Sequence, residues 1–120
     1  MEKQLSFLIE IDKLKNVIRK SPLIDRSRRE NSAEHSWHLA LYALVLSGEA
    51  NVGVNIDRVI RMLLLHDIVE IDAGDHPIHE SNNSEHQREL ELNAARRIFG
   101  LLPSEQAKEF MDLWLEFESG

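Results

Sequence analysis

The run Leu63-Leu64-Leu65-His66-Asp67-Ile68-Val69-Glu70, aliphatic until it breaks into ionisable residues, restricts what this chain can fold into more than any other feature. Upstream, Ile56, Val59, Ile60 and Met62 leave little room for a polar face, so the segment is expected to be a core helix. Burying His, Asp and Glu at the end of such a helix is costly unless they pair with one another or with a cation. His66 and Glu70 are one helical turn apart and Asp67 and Glu70 three residues apart, so all three side chains can project toward one point. Neutral imidazole offers a nitrogen lone pair and a carboxylate offsets part of a cation's charge, a donor set suited to Zn, Mn, Fe, Co or Ni. From these residues alone two readings stand. One is a metal-binding cluster; the other is a hydrogen-bonded His66–Asp67 pair at a helix end, with Glu70 facing solvent.

The remainder of the chain reads as helical. Leu5, Leu8, Ile9, Ile11, Leu14, Val17 and Ile18 recur at mostly three- and four-residue intervals, which predicts an amphipathic helix over residues 3–20, closed by Pro22. Asn31 and Glu34 form a capping-box pair that opens a second helix from about Ser32 to Ala50. Asn55 can cap the third, Ser84 and Gln87 a fourth that Gly100 stops, and Pro103-Ser104 begin a fifth. A loop with Gly74 and Pro77 runs to Asn83. No segment shows a two-residue alternation of β-branched residues between turn signals, so no strand is predicted.

Composition narrows the chemistry. The 120 residues, 42% hydrophobic and 29% charged, suit one compact domain over residues 1–120. There is no cysteine, which leaves His and carboxylates as the available metal ligands. A formal charge of -7 argues against a broad nucleic-acid or anionic-membrane surface. The opening MEKQLSFLIEIDKLKNVIRK scatters charges through its apolar positions, unlike a signal peptide or a spanning helix, so a cytoplasmic protein is expected.

His35 supplies a second histidine source, ahead of Trp37, Leu39, Ala40, Leu41, Ala43, Leu44 and Val45 on a helix able to face the third. With it, NSAEHSWHLALYALVL followed by LLLHDIVEIDAGD resembles the HD-domain phosphohydrolases, most closely the branch related to bacterial 5′-deoxynucleotidases, from about Leu14 onward. The resemblance implies an all-α, HD-domain-like bundle of about five helices. It implies one divalent cation, whether Mn, Co, Zn, Fe, Ni or Mg, with His35, His66 and Asp67 as three of its four protein ligands. Glu70 is implied to act with activated water beside Asp67, and Asp75, in the Gly74-Asp75 pair, to touch the substrate sugar. The implied activity is hydrolysis of a small phosphomonoester, a nucleoside 5′-monophosphate being the favoured substrate.

The chain departs from the family pattern in two places. Family members run on to a helix bearing the last metal Asp, whereas this chain ends at EFESG, and Asp112 sits too early to take that part. The Arg-Trp pair that deoxynucleotidases place before the first-loop Pro reads Lys20-Ser21 here, with Arg19 beside it. Arg19 or Lys20 is therefore expected to balance phosphoryl charge, and Arg26, Arg28 and Arg29 either steer a phosphate or form surface salt bridges. His38 is expected to turn outward, His76 and His79 to be solvent-exposed in their loop, and Trp37, Trp114 and the phenylalanines to pack in the core. The competing expectation is a non-catalytic or truncated metal-binding module that forms a homodimer through Leu113, Trp114, Leu115 and Phe117, which would lack a covering helix.

Overall fold

The computed structural model describes residues 1–74 and 84–120. In chain order it contains α1 (Glu2–Ile11), a 3-10 segment (Asp12–Asn16), β1 (Ile18–Pro22), β2 (Arg29–Asn31), α2 (Ser32–Val45), a 3-10 turn (Ser47–Glu49), α3 (Ile56–Leu65), α4 (Glu70–Ala73), α5 (Ser84–Phe99) and α6 (Ser104–Glu118). The fold is all-α, with a single two-stranded ribbon among the described residues. No helix in them is long and apolar enough to cross a membrane.

The core lies where α1, α5, α6 and the α3–α4 connection meet, around Phe7, Ile68, Val69, Ile98, Phe99, Leu113 and Trp114. Phe110 meets Phe7 edge-on at 5.9 Å between ring centroids and Phe99 at 6.4 Å, an arrangement that aligns ring edges with ring faces. Arg97 ties this core's rim together, its Nη2 donating to Glu10 of α1 at 2.6 Å and its Nε to Asp72 of α4 at 2.7 Å. At Gly100 the chain leaves α5 so tightly that a Cβ would stand 2.5 Å from the Arg96 carbonyl oxygen. Gly74 ends α4 with φ 80°, a conformation that costs glycine little.

Several expectations are corrected. The helix predicted over residues 3–20 stops at Ile11, tightens into 3-10 geometry, and gives way to an antiparallel β1–β2 hairpin. The hairpin folds back, with Leu23 N–H donating to Arg28 O and Arg26, at φ 64°, turning the loop. β1 is exposed at four of its five residues, so no apolar alternation marks it.

The capping box at α2 is present as expected, with the Asn31 side chain accepting from Glu34 N–H and the Glu34 carboxylate accepting from Asn31 N–H. The helix, however, ends at Val45 rather than near Ala50. Its buried residues are Ser32, Ser36 and Ala40, a stripe of small side chains that lets α2 lie close to its neighbours. Trp37 therefore points outward and is 60% exposed, contrary to the core position expected for it. In α3 only Leu65 is buried and Leu64 is 47% exposed, so that helix flanks the core rather than running through it. Leu113 and Trp114 are buried within the chain itself and do not await a covering helix; of the four residues named for that face, Leu115 is exposed and Phe117 half-buried.

Candidate metal centre

His35 occupies the first full turn of α2, just after the capping box that fixes where the helix begins. His66 closes α3, and the backbone does not continue as one α-helix into Glu70. Instead Ile68 N–H bonds to Leu65 O at 3.2 Å and Glu70 N–H to Asp67 O at 2.9 Å, both three residues back. This tightened turn keeps His66, Asp67 and Glu70 on the side of α3 that faces α2 and the hairpin. One ligand atom from each of His35, His66 and Asp67 lies within 4.8 Å of the other two, and all three side chains are partly buried.

The fine geometry suits a cation. His66 Nδ1 donates to the Leu63 carbonyl at 2.6 Å, an acceptor-only partner, which leaves Nε2 as the lone-pair nitrogen. That Nε2 lies 3.1 Å from Asp67 Oδ2, yet Oδ2 is buried with no aligned hydrogen-bond donor. Asp67 Oδ2 is buried without a hydrogen bond, with Arg19 Nη1 3.8 Å away, a costly position that a cation between it and the nitrogen lone pair would relieve. Burial alone would push the His66 imidazole below its ordinary value; the Asp67 carboxylate and the Leu63 carbonyl outweigh it, so the group titrates higher. Phe117 of α6 packs against the His66 ring at 4.8 Å between centroids and braces its orientation.

Around this trio stand three further groups. Glu70 is buried, and its Oε1 accepts from the fully buried Ser32 hydroxyl at 2.9 Å. The solvent-facing position weighed for Glu70 from the sequence is thus not the one it takes. Arg19 of β1 reaches in, with Nη1 3.8 Å from Asp67 Oδ2 and Nε 3.5 Å from Glu30 Oε1. Glu30 of β2 in turn places Oε1 3.0 Å from His35 Nδ1. Lys20, next to Arg19 on the strand, is exposed.

Asp75, His76 and His79 lie outside the described residues. Of the loop arginines, Arg28 forms a bidentate pair with Glu34 at 2.8 and 3.1 Å, the surface salt bridge weighed above. His38 meets Tyr42 in a tilted ring contact at 4.7 Å between centroids and is not among the three converging ligands, and Asp112 pairs with Lys108 on α6. Glu30 and Ser32 were not singled out from the sequence. Glu30 sits on a strand that helical periodicity cannot register, and Ser32 is an ordinary first-turn helix residue.

The fold and this cluster together define a helical protein with a partly buried His-His-Asp set of the kind that holds a divalent cation. The HD domain family matches residues 11–120. Human 5′-deoxynucleotidase HDDC2 is 31% identical over 116 residues, covering 96% of this chain and 55% of that protein. The 5′-deoxynucleotidase yfbR of Photorhabdus temperata is 27% identical over 112 residues, 87% of this chain and 56% of that one. A solved structure, of a predicted metal-dependent phosphohydrolase from Magnetospirillum magnetotacticum MS-1, superposes with a TM-score of 0.90 at 54% identity, covering 98% of this chain and 60% of that chain. The chain belongs to the HD-domain family, and it spans little more than half the length of the curated relatives it matches.

Proposed function

We propose that this chain is an HD-type, metal-dependent phosphohydrolase acting on a small phosphomonoester, with a nucleoside 5′-monophosphate as the favoured substrate. The observation that carries the proposal is the convergence of His35, His66 and Asp67 within 4.8 Å, with Asp67 Oδ2 buried and not hydrogen-bonded. These three residues would hold one divalent cation, Mn, Co, Zn, Fe, Ni or Mg. Such a cation supplies Lewis-acid charge for phosphoryl oxygens and acidifies water. Residues 1–120 are read as one HD-type helical unit.

The chain's own residues take complementary parts. Hydrolysis joins a water oxygen to phosphorus, breaks the bond from phosphorus to the ester oxygen, and releases phosphate and an alcohol. Glu70, held in place by the Ser32 hydroxyl, accepts the proton that water gives up and returns it to the departing ester oxygen, which leaves as the alcohol. Arg19 offers its guanidinium to the phosphoryl oxygens, since it is already turned toward Asp67, and the exposed Lys20 adds long-range attraction. Asp75 keeps the sugar contact that the family resemblance implies. Beside His35 a cavity of about 480 Å³, lined by apolar residues such as Leu23 and Leu39 together with the polar Asp25, Glu30, His38 and Tyr42, is of a size to take a nucleoside. A cytoplasmic homodimer is the setting proposed for it.

The test is phosphate release from a panel of ribo- and deoxyribonucleoside 5′-monophosphates with added Mn, Co or Zn, using Asp67→Ala as control. Release that vanishes in the variant supports the proposal. One ion bound per chain with no release from any substrate favours the second reading, a metal-binding module without turnover.

A further inference from the structure

Three side chains on three elements meet at one oxygen. Glu30 Oε1 lies 3.0 Å from His35 Nδ1 and 3.5 Å from Arg19 Nε, and the Glu30 side chain is only 14% exposed. We propose that Glu30 is the positioning residue of the metal centre: its carboxylate accepts the Nδ1 proton of His35, which fixes the imidazole in the tautomer that presents Nε2 to the cation. The same oxygen stands 3.5 Å from Arg19 Nε and offers that guanidinium a second carboxylate besides Asp67. This rests on His35 being a metal ligand, as argued above.

The chemistry needs such a group. A neutral imidazole carries one proton on either nitrogen, and only the unprotonated nitrogen can bind a metal. A free histidine samples both tautomers, so part of its population is the wrong one. His66 settles this with the Leu63 carbonyl, a backbone acceptor three residues back. His35 sits in the first turns of α2, and the acceptor at its Nδ1 is a side chain delivered by β2. Two ligands with the same requirement thus obtain it from different sources, one fixed by the backbone and one that a single substitution removes. A carboxylate acceptor also raises the donor strength of the opposite nitrogen, which a carbonyl does less.

Arg19 is the second consequence. Its Nε is buried without an aligned hydrogen bond, and its Nη1 is 3.8 Å from Asp67 Oδ2. Without Glu30 the guanidinium keeps one carboxylate partner, Asp67, and closes on the oxygen that the cation needs. Loss of Glu30 therefore weakens metal binding twice, through the tautomer and through competition by Arg19.

The test uses the metal-free 120-residue chain with ¹⁵N-labelled histidine. At a pH where the imidazoles are neutral, the His35 ring nitrogens should report the Nδ1–H form in the native chain and a mixture rich in Nε2–H in Glu30→Ala. Calorimetric titration with Mn or Co alone should show affinity falling about 10- to 100-fold in that variant, the range typical for outer partners of metal ligands. Glu30→Gln, nearly the same shape with a weaker neutral acceptor, should fold even if the alanine variant does not. It should show the same changes in smaller measure. A native-like His35 tautomer in these variants, or unchanged metal affinity, would overturn the proposal. His35→Ala is the separate control: native affinity there sinks the metal-centre reading itself, whatever the Glu30 variants do.

Discussion

Helices α5 and α2 are of similar length, opposite in composition, and opposite in fate. The polar α5, SEHQRELELNAARRIF, contributes Ala94, Ala95, Ile98 and Phe99, none more than 2% exposed. The apolar α2, SAEHSWHLALYALV, buries only two serines and an alanine, and leaves Trp37 at 60% and Val45 at 75% exposure. Burial is decided by what surrounds a helix and not by how apolar it is. One narrow stripe on α5 faces three neighbours and is fully covered, whereas α2, packed against α3 and the hairpin, has only its small residues buried. The candidate metal site straddles the two regimes, with Glu70 and the His66 turn anchored to the packed side and His35 carried on the open one. Sites tend to sit on such margins, where ligands can enter and elements can adjust.

The largest effect that could break this comparison is in α5. Phe99→Ala should cost about 3–5 kcal/mol in denaturant unfolding, because a fully buried ring leaves a cavity between α1, α5 and α6. A cost under about 1 kcal/mol would mean the core is not where the structure places it. Asn31→Ala should cost about 1 kcal/mol through loss of the α2 cap, and it should loosen His35 and Glu30 as well. Arg97→Ala, partly exposed, should cost no more than about 1 kcal/mol near neutral pH. That cost has a pH signature. Hydrogen bonding from Arg97, then from Lys13, holds Glu10 below its ordinary value of 4.5, so the contribution is complete above that pH and is lost as pH falls through the depressed value. The gap between native and Arg97→Ala stabilities should therefore close on acidification. The smallest effect is expected at Trp37→Ala, within about 0.5 kcal/mol despite the size of the residue removed, as for other surface changes.

Parts of the structure were legible because they rest on local rules. The Asn31–Glu34 box, the Asn55 cap on Arg58 N–H, and the Gly100 stop each follow from backbone groups that a nearby side chain or a missing Cβ must satisfy. The His66-Asp67-Glu70 cluster was legible as an energetic anomaly, and His35 joined it through the family resemblance. What was not legible depends on long-range neighbours. β1 and β2 are too short and polar to announce themselves, so Glu30 and the inward turn of Arg19 went unread at the level of contacts. Trp37 and Leu64 looked like core because periodicity shows that a face is apolar without showing what lies against it. The position of Asp75 falls outside the described residues and stays where the sequence left it.

The central claim is that His35, His66 and Asp67 form a divalent-cation site, and the most direct test is equilibrium titration of the native chain and Asp67→Ala with Mn or Co, followed by calorimetry. The account predicts one ion per native chain and an affinity loss beyond about 100-fold in the variant, larger than outer partners give, with helical content by circular dichroism unchanged. Binding by Asp67→Ala at native affinity and stoichiometry would contradict it and place any metal elsewhere on the chain.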